Sequence, residues 1–223
     1  MRQIDILLTD TLPGGHEPFV HGDLRVQFHP WTWSAPLPLL DGRPWAFVDW
    51  VLPEMSGLEL CRRLRCDPAT EQAHVTMILE EDEAEAKRRA LRAGADDYIV
   101  GPVDRGALLD RVLSVQLPEH EVPGRMLKLG DLSLDLSALQ ARWKDQPIGL
   151  MPNELRLLRY LMEQPGKVFS RAQLIAALGK NDQPIDERTV DAWVSRLRRA
   201  LREVGAGYPL RTVRSLGYVL DKP

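Results

Sequence analysis

Cysteines are scarce in this chain, and long apolar runs are missing. Two cysteines, Cys61 and Cys66, are too few for a disulfide framework or a four-ligand zinc site. Two reduced thiols are the plain reading, with a redox or ligand-sensing pair as the alternative. No run of about 18 apolar residues occurs, so no membrane span is expected. The first ten residues, MRQIDILLTD, are too short and too acidic for a signal peptide. These absences point to a cytoplasmic protein with no membrane partner. What is present suffices for folding: 223 residues, 44% of them hydrophobic, fit one large domain or two small ones with packed cores.

The net charge of −3 hides an asymmetry. Residues 1–124 hold 12 Lys+Arg against 21 Asp+Glu, a net of −9, while residues 125–223 hold 17 against 11, a net of +6. A sign change between halves predicts two domains, the basic one facing a polyanion. The stretch LPEHEVPGR (117–125) is polar, carries two prolines and reads as a linker. The expected division is therefore 1–116, a linker 117–125, and 126–223.

In the first half, short apolar runs alternate with helical segments. IDILL (4–8), LRVQF (24–28), AFVDW (46–50), VTMIL (75–79) and DYIV (97–100) are strand candidates. GLELCRRLR (57–65), EAEAKRRALRAG (83–94) and RGALLDRVLSV (105–115) are helix candidates. Such alternation implies a five-stranded parallel sheet with helices on both faces. Ligands of such sheets gather at the carboxyl ends of the strands, where Asp10 and Asp49 fall. The stretch TLPGGHEPFVHG (11–22) has two prolines and three glycines where the pattern wants a helix, so that helix is expected to be short or missing. Trp31, Trp33 and Trp45 follow, read either as packing over the gap or as a patch for a partner or small ligand.

Two stretches carry a resemblance. D-x-x-L-P-x-M-S-G at Asp49 to Gly57, and A-G-A-D-D-Y-I at Ala93 to Ile99 followed by Pro102, are similar to the CheY-like receiver domain of two-component response regulators. In that family the Asp accepts a phosphoryl group from a histidine kinase. The chemistry needs a divalent metal held by carboxylates to cancel charge on the transferring group. The family supplies an acidic pair after the first strand, a Lys before the last-strand proline, and a Thr or Ser ending the fourth strand. This chain departs at each position. The acidic pair reads Asp10-Thr11, the Lys position is Gly101, and the hydroxyl position falls on Leu79, or on Glu80 if the register slips by one. With Asp49, these residues describe a degenerate phosphoacceptor site that does not switch by phosphorylation. A partner sensor kinase is accordingly doubtful, and neither a bound metal nor another cofactor is expected. Asp49 then caps its turn as a solvated carboxylate. An ordinary phosphorylation-dependent receiver with Asp49 as acceptor is the alternative. Enzymatic turnover is not expected, because no general acid or second catalytic carboxylate accompanies Asp49.

The same resemblance implies a homodimer. Lys87 with Asp96, and Asp97 with Arg111, match two of the family's intersubunit ion pairs. Ala107 stands where a third acidic partner would face the helix residue at Glu83. Leu91 and Leu109 would supply the apolar centre, and their burial should outweigh surface ion pairs of about 0–1 kcal/mol each.

In the second half, residues 127–150 alternate apolar and polar positions and read as a small antiparallel sheet. Pro152 opens a helix, and Ser170 with Gln173 forms a capping box for a second. A third helix runs from about Asp186 to Val204, and PLRTVRSLGYVL (209–220) reads as a hairpin. At about 100° per residue, Val190, Val194, Leu197 and Leu201 fall in one narrow arc of the third helix. Arg188, Ala192, Ser195, Arg199 and Arg202 fall opposite, with Arg196 and Arg198 on the shoulders. One face suits a core, and the other suits a DNA major groove.

The order of these elements, with R-T-V-D-x-W-V-S-R-L-R-R at Arg188 to Arg199 and R-T-V-R-S-L-G-Y at Arg211 to Tyr218, resembles the OmpR/PhoB winged-helix DNA-binding domain, an α+β fold. The resemblance implies that Arg188, Ala192, Trp193, Ser195, Arg196 and Arg198 face double-stranded DNA. It implies further that Thr212 and Tyr218 touch phosphate, that Arg214 enters the minor groove, and that RNA polymerase is a partner. Met151 stands where a Thr would cap the first helix.

Overall fold

The protein is described here by a computed structural model, covering residues 2–9, 15–21, 24–40, 43–116, 126–136, 138–178, 185–207 and 209–222. The chain divides into two compact units, Met1–Arg111 and Val112–Pro223. The expected linker, 117–125, lies outside the described residues, as do Asp10 and Thr11.

The first unit is an α/β sheet domain. Its strands are β1 (Arg2–Leu8), β2 (Phe19–His21), β3 (Leu24–Pro30), β4 (Trp45–Asp49), β5 (His74–Leu79) and β6 (Asp97–Val100). Its helices are α1 (Gly57–Cys66), α2 (Ala84–Arg92) and α3 (Arg105–Gln116). The sheet order is β2-β3-β1-β4-β5-β6. All five expected strands run parallel; helices cross over between β4 and β5 and between β5 and β6, but not between β1 and β3 or between β3 and β4. Among the described residues no helix stands there. The short strand β2 instead lies antiparallel to β3 and forms a sixth, edge strand. The expectation of a missing helix holds, but the expectation of five strands is one short. A segment rich in Pro and Gly resists a helix, yet Phe19-Val20-His21 can still extend beside a twisted edge.

The central strands read as nearly continuous apolar runs because both faces are covered. Phe47, Val48, Val75 and Met77 are fully buried. Helix α1 begins where the Ser56 hydroxyl accepts the Glu59 amide, and it buries Leu58, Leu60, Cys61 and Leu64. Trp31 packs in this core, edge-on to Trp33 with ring centroids 5.8 Å apart. Trp31 is thus a core residue on the α1 side of the sheet.

The second unit opens with an antiparallel sheet of β7 (Met126–Leu129), β8 (Leu132–Asp135), β9 (Gln140–Trp143) and β10 (Gln146–Ile148). Three helices follow, α4 (Pro152–Glu163), α5 (Arg171–Ala177) and α6 (Glu187–Glu203), then the hairpin β11 (Leu210–Val213) and β12 (Gly217–Leu220). Ser170 and Gln173 form the expected capping box at α5. At α4 the Met151 side chain has no oxygen to offer, but the Glu154 carboxylate accepts the Met151 backbone N–H at 2.7 Å. Half of a capping box therefore survives. Val190, Val194, Leu197 and Leu201 of α6 are buried against α4 and the sheet residues of one core, each contributing about 1.5–3 kcal/mol.

Candidate functional site

The carboxyl end of β4 carries Asp49, partly buried. Its chain turns at once, and Gly57 sits so close that a Cβ there would lie 2.0 Å from the Asp49 carbonyl oxygen. No side chain fits, which is why the D-x-x-L-P-x-M-S-G turn ends in glycine. The Thr9 hydroxyl donates to Asp49 Oδ2 at 2.6 Å and accepts the Asp49 backbone N–H at 2.9 Å. Thr9 follows β1 directly, and β1 lies beside β4 with Leu8 opposite Phe47. The residue touching Asp49 from β1 is therefore a neutral donor that was not singled out from sequence. Asp49 faces Ile78 across the β4–β5 ladder. Leu79 is buried, and its carbonyl accepts the Gly101 N–H at 2.8 Å. Leu79 and Gly101 thus meet at the same sheet edge as Asp49, bringing neither a hydroxyl nor a cation. Glu80 lies exposed beyond the strand end. With Glu81, Glu83 and Glu85 it lines one hollow beside Trp50 and Arg89, where negative charge opposes an incoming phosphate.

The described donors fit a divalent cation poorly. Mg²⁺ wants carboxylate oxygens, whereas here a hydroxyl proton is directed at Asp49 Oδ2. No group of three or more His, Cys, Asp or Glu able to hold a metal ion occurs among the described residues. A small apolar hollow of about 60 Å³ lies next to Thr9, lined by Trp31, Trp33, Leu52, Met55 and Leu60 among others, enough for a few waters.

The face of α2, β6 and α3 differs from expectation. Asp96 is buried and accepts from Arg65 Nη2 at 2.6 Å and from the Val75 amide at 3.0 Å. Arg65 also donates to the carbonyls of Ala73 and Gly94, both at 2.7 Å. Asp96 is a staple joining α1 to the sheet, not a partner for Lys87. Lys87 pairs instead with Asp82, whose hydrogen bond raises the Lys87 pKa. Arg111 pairs with Asp97 inside the same chain. Leu91 and Leu109 are 2% and 8% exposed. Their side chains belong to the interior and cannot form the apolar centre of a dimer. The reason is helical phase: Leu91 adjoins buried Ala90, and Leu109 adjoins buried Leu108 and Val112.

On α6 the outward stripe is as expected. Arg188, Ala192, Ser195 and Arg202 are exposed and Arg199 partly so, one residue per turn along a single face. Trp193 and Arg196 depart from expectation. Trp193 is fully buried. Arg196 is 7% exposed, with Nε donating to Glu154 Oε1 at 2.7 Å. The buried arc of α6 is simply wider than its aliphatic stripe, spanning about 160° on one side. A carboxylate already buried at Glu154 requires a cation. The same Glu154 thus caps α4 and pairs with α6.

The hairpin β11–β12 presents Arg214 on its turn, exposed, with Ser215 at a φ of 61°. Gly217 leaves the turn at a φ of 138°, where a Cβ would lie 1.9 Å from the Phe169 carbonyl oxygen. The hairpin is therefore clamped against the strand-like entry to α5, where Phe169 and Tyr218 exchange backbone hydrogen bonds at 2.8 and 2.9 Å. Arg198 donates from Nε to the Leu210 carbonyl at 2.9 Å and from Nη2 to Thr212 Oγ1 at 2.7 Å. Tyr218 is 4% exposed, and its hydroxyl donates to Asp191 Oδ1 at 2.5 Å. Burial, then this hydrogen bond, pushes the phenol above its ordinary pKa.

The sequence matches the family description "Transcriptional regulatory protein, C terminal" over residues 145–220, and "Response regulator receiver domain" over 45–113. It is 42% identical over 175 residues to the phosphate regulon transcriptional regulatory protein PhoB of Rhizobium meliloti, spanning 78% of this chain and 77% of that protein. It is 36% identical to the transcriptional regulatory protein AfsQ1 of Streptomyces coelicolor, spanning 79% and 77%. Among solved structures, the response regulator DrrB, an OmpR/PhoB homolog of Thermotoga maritima, matches at 27% identity over 79% of this chain and 78% of that one, with a TM-score of 0.39. The chain belongs to the OmpR/PhoB family of DNA-binding transcriptional response regulators, with a CheY-like receiver followed by a winged-helix domain.

Proposed function

We propose that this regulator binds its operator without a phosphoryl switch, its receiver serving chiefly to hold two copies together. The observation that carries this reading is the Thr9 hydroxyl seated on Asp49 Oδ2 at 2.6 Å. The carboxylate oxygen that would attack phosphorus or hold a metal is already engaged by an internal donor. Gly101 supplies no cation for the phosphoryl oxygens, and Leu79 no hydroxyl to read them. In the winged helix, Arg188, Ala192, Ser195, Arg199 and Arg202 form the groove-facing stripe, and Arg214 is the minor-groove residue. Thr212 lies with Arg198 at the hairpin base for phosphate. Paired copies would set two such modules on tandem half-sites. For the dimer face, Lys87 and Arg111 remain candidates, exchanging their internal partners for those of a second copy, while Asp97 is buried like Leu91 and Leu109. RNA polymerase as a partner, a cytoplasmic location, and the absence of turnover and of a cofactor are part of the same reading. So is the division into 1–116, linker 117–125, and 126–223.

The test is operator binding by wild type and Asp49→Ala with no phosphodonor present, alongside the intact mass after exposure to a small phosphodonor. Equal, tight binding and an unchanged mass are expected. A mass gain of one phosphoryl group, with binding that depends on it, would favour the second reading. In that reading Asp49 remains the acceptor, as its partial exposure and intact turn allow.

A further inference from the structure

We propose that Asp191 is a positioning residue for DNA recognition, fixing the hairpin to the recognition helix without touching DNA itself. Asp191 stands on the shoulder of α6 between the outward stripe and the hairpin. Its Oδ1 receives two donors from two other elements: Arg171 Nε of α5 at 2.6 Å and the Tyr218 hydroxyl of β12 at 2.5 Å. Arg171 Nη2 also donates to the Tyr218 oxygen at 3.2 Å. Three elements therefore converge on one carboxylate.

The Tyr218 ring extends the linkage. The Arg171 and Arg198 guanidiniums lie 5.1 and 5.4 Å from its centre, within cation–π range. Arg198 in turn holds the hairpin base through the Leu210 carbonyl and Thr212. A continuous path runs from Asp191 through Tyr218 and Arg198 to β11, and the backbone clamp between Phe169 and Tyr218 closes it. Arg214 sits at the far end of this hairpin, three residues from the clamped Gly217. Its distance from the α6 stripe is set by how firmly the base is held. Tyr218 has one hydroxyl proton, and Asp191 takes it, so the residue is a strut rather than a donor to phosphate.

The sign of the effect separates this role from plain electrostatics. Asp191 is a negative charge beside a polyanion-binding face. If charge were its only property, removing it would tighten binding and steepen the salt dependence. A positioning role requires the opposite. The inference rests on Arg214 contacting DNA, so the test is a double-mutant cycle on the full chain. Operator affinity is measured for wild type, Asp191→Ala, Arg214→Ala and the pair, on sites flanked by A·T tracts. Expected are a loss of about tenfold for Asp191→Ala, a loss for Arg214→Ala, and little further loss from Asp191→Ala once Arg214 is gone. Tighter or unchanged binding by Asp191→Ala would overturn the proposal, as would fully additive losses. No effect of Arg214→Ala would instead refute the minor-groove assignment. Tyr218→Phe, which keeps the ring and removes the hydroxyl, should reproduce part of the loss, and Asp191→Asn should fall between wild type and alanine. These two conservative variants decide the matter if Asp191→Ala does not fold.

Discussion

Each half of the molecule contains an aspartate capped by a hydroxyl at nearly the same distance, and the two pairs have opposite consequences. In the receiver, Thr9 donates to Asp49 at 2.6 Å. In the winged helix, Tyr218 donates to Asp191 at 2.5 Å. The first pair engages an oxygen that the family's chemistry would need open. The second joins three elements of the winged-helix domain, α5, α6 and β12. A hydroxyl–carboxylate contact has no fixed meaning; its surroundings decide. Asp49 sits at the carboxyl end of β4 against Thr9, whereas Asp191 meets Arg171 and the hydroxyl of Tyr218, whose ring lies between two guanidiniums.

The largest effect that would sharpen this contrast lies at Arg196, on the buried side of α6. Arg196→Ala leaves Glu154 buried without its cation and unsettles the start of α4, so a stability loss of about 3–5 kcal/mol is expected. Urea denaturation should show the winged-helix transition moving to lower denaturant while the receiver transition stays put. Movement of both would mean that the halves do not fold independently. Next in size, Arg188→Ala should weaken operator binding by about tenfold and reduce the salt slope by about one if it contacts phosphate. An unchanged slope with lower affinity would make it a base contact. Smaller still, Thr9→Val removes the hydrogen bonds to Asp49 and should cost about 1 kcal/mol of receiver stability, leaving operator affinity unaltered. A change in affinity would break the contrast by showing that the Asp49 corner speaks to DNA binding. The smallest effect is one of pH. The Tyr218 pKa is raised on folding from 10.0, so the folded state binds the proton more tightly. Its stabilisation is complete below pH 10 and declines as pH rises through the folded value. Alkaline titration of Tyr218→Phe should lack that decline.

Much of this was legible in the sequence. The 3.6-residue spacing of Val190, Val194, Leu197 and Leu201 fixed which way α6 faces, and the apolar runs located every parallel strand within two residues. Misreadings arose where one residue type serves two roles. Arg196 looks cationic and exposed until Glu154, 42 residues earlier in the chain, is known to lie beneath it. Trp193 was placed by its motif position, although its phase, about 60° from Val190, already pointed inward. Asp96 looked like a surface charge because nothing local announces that Arg65 reaches it. Thr9 is hidden for a different reason: only the pairing of Leu8 with Phe47 brings it to Asp49, and strand order is not written in either strand.

Helix α6 separates the positions that keep the domain folded from those that face outward. The residues that keep the domain folded, from Val190 to Arg196 and Leu201, point one way; Arg188, Ala192, Ser195 and Arg202 point the other. Exposed helix positions usually tolerate exchange within about 0.5 kcal/mol. The outward positions are therefore open to exchange without loss of the fold. On the proposed function, a library randomised at those four sites could be selected on new operators, and its members would differ in what they recognise long before they differ in whether they fold.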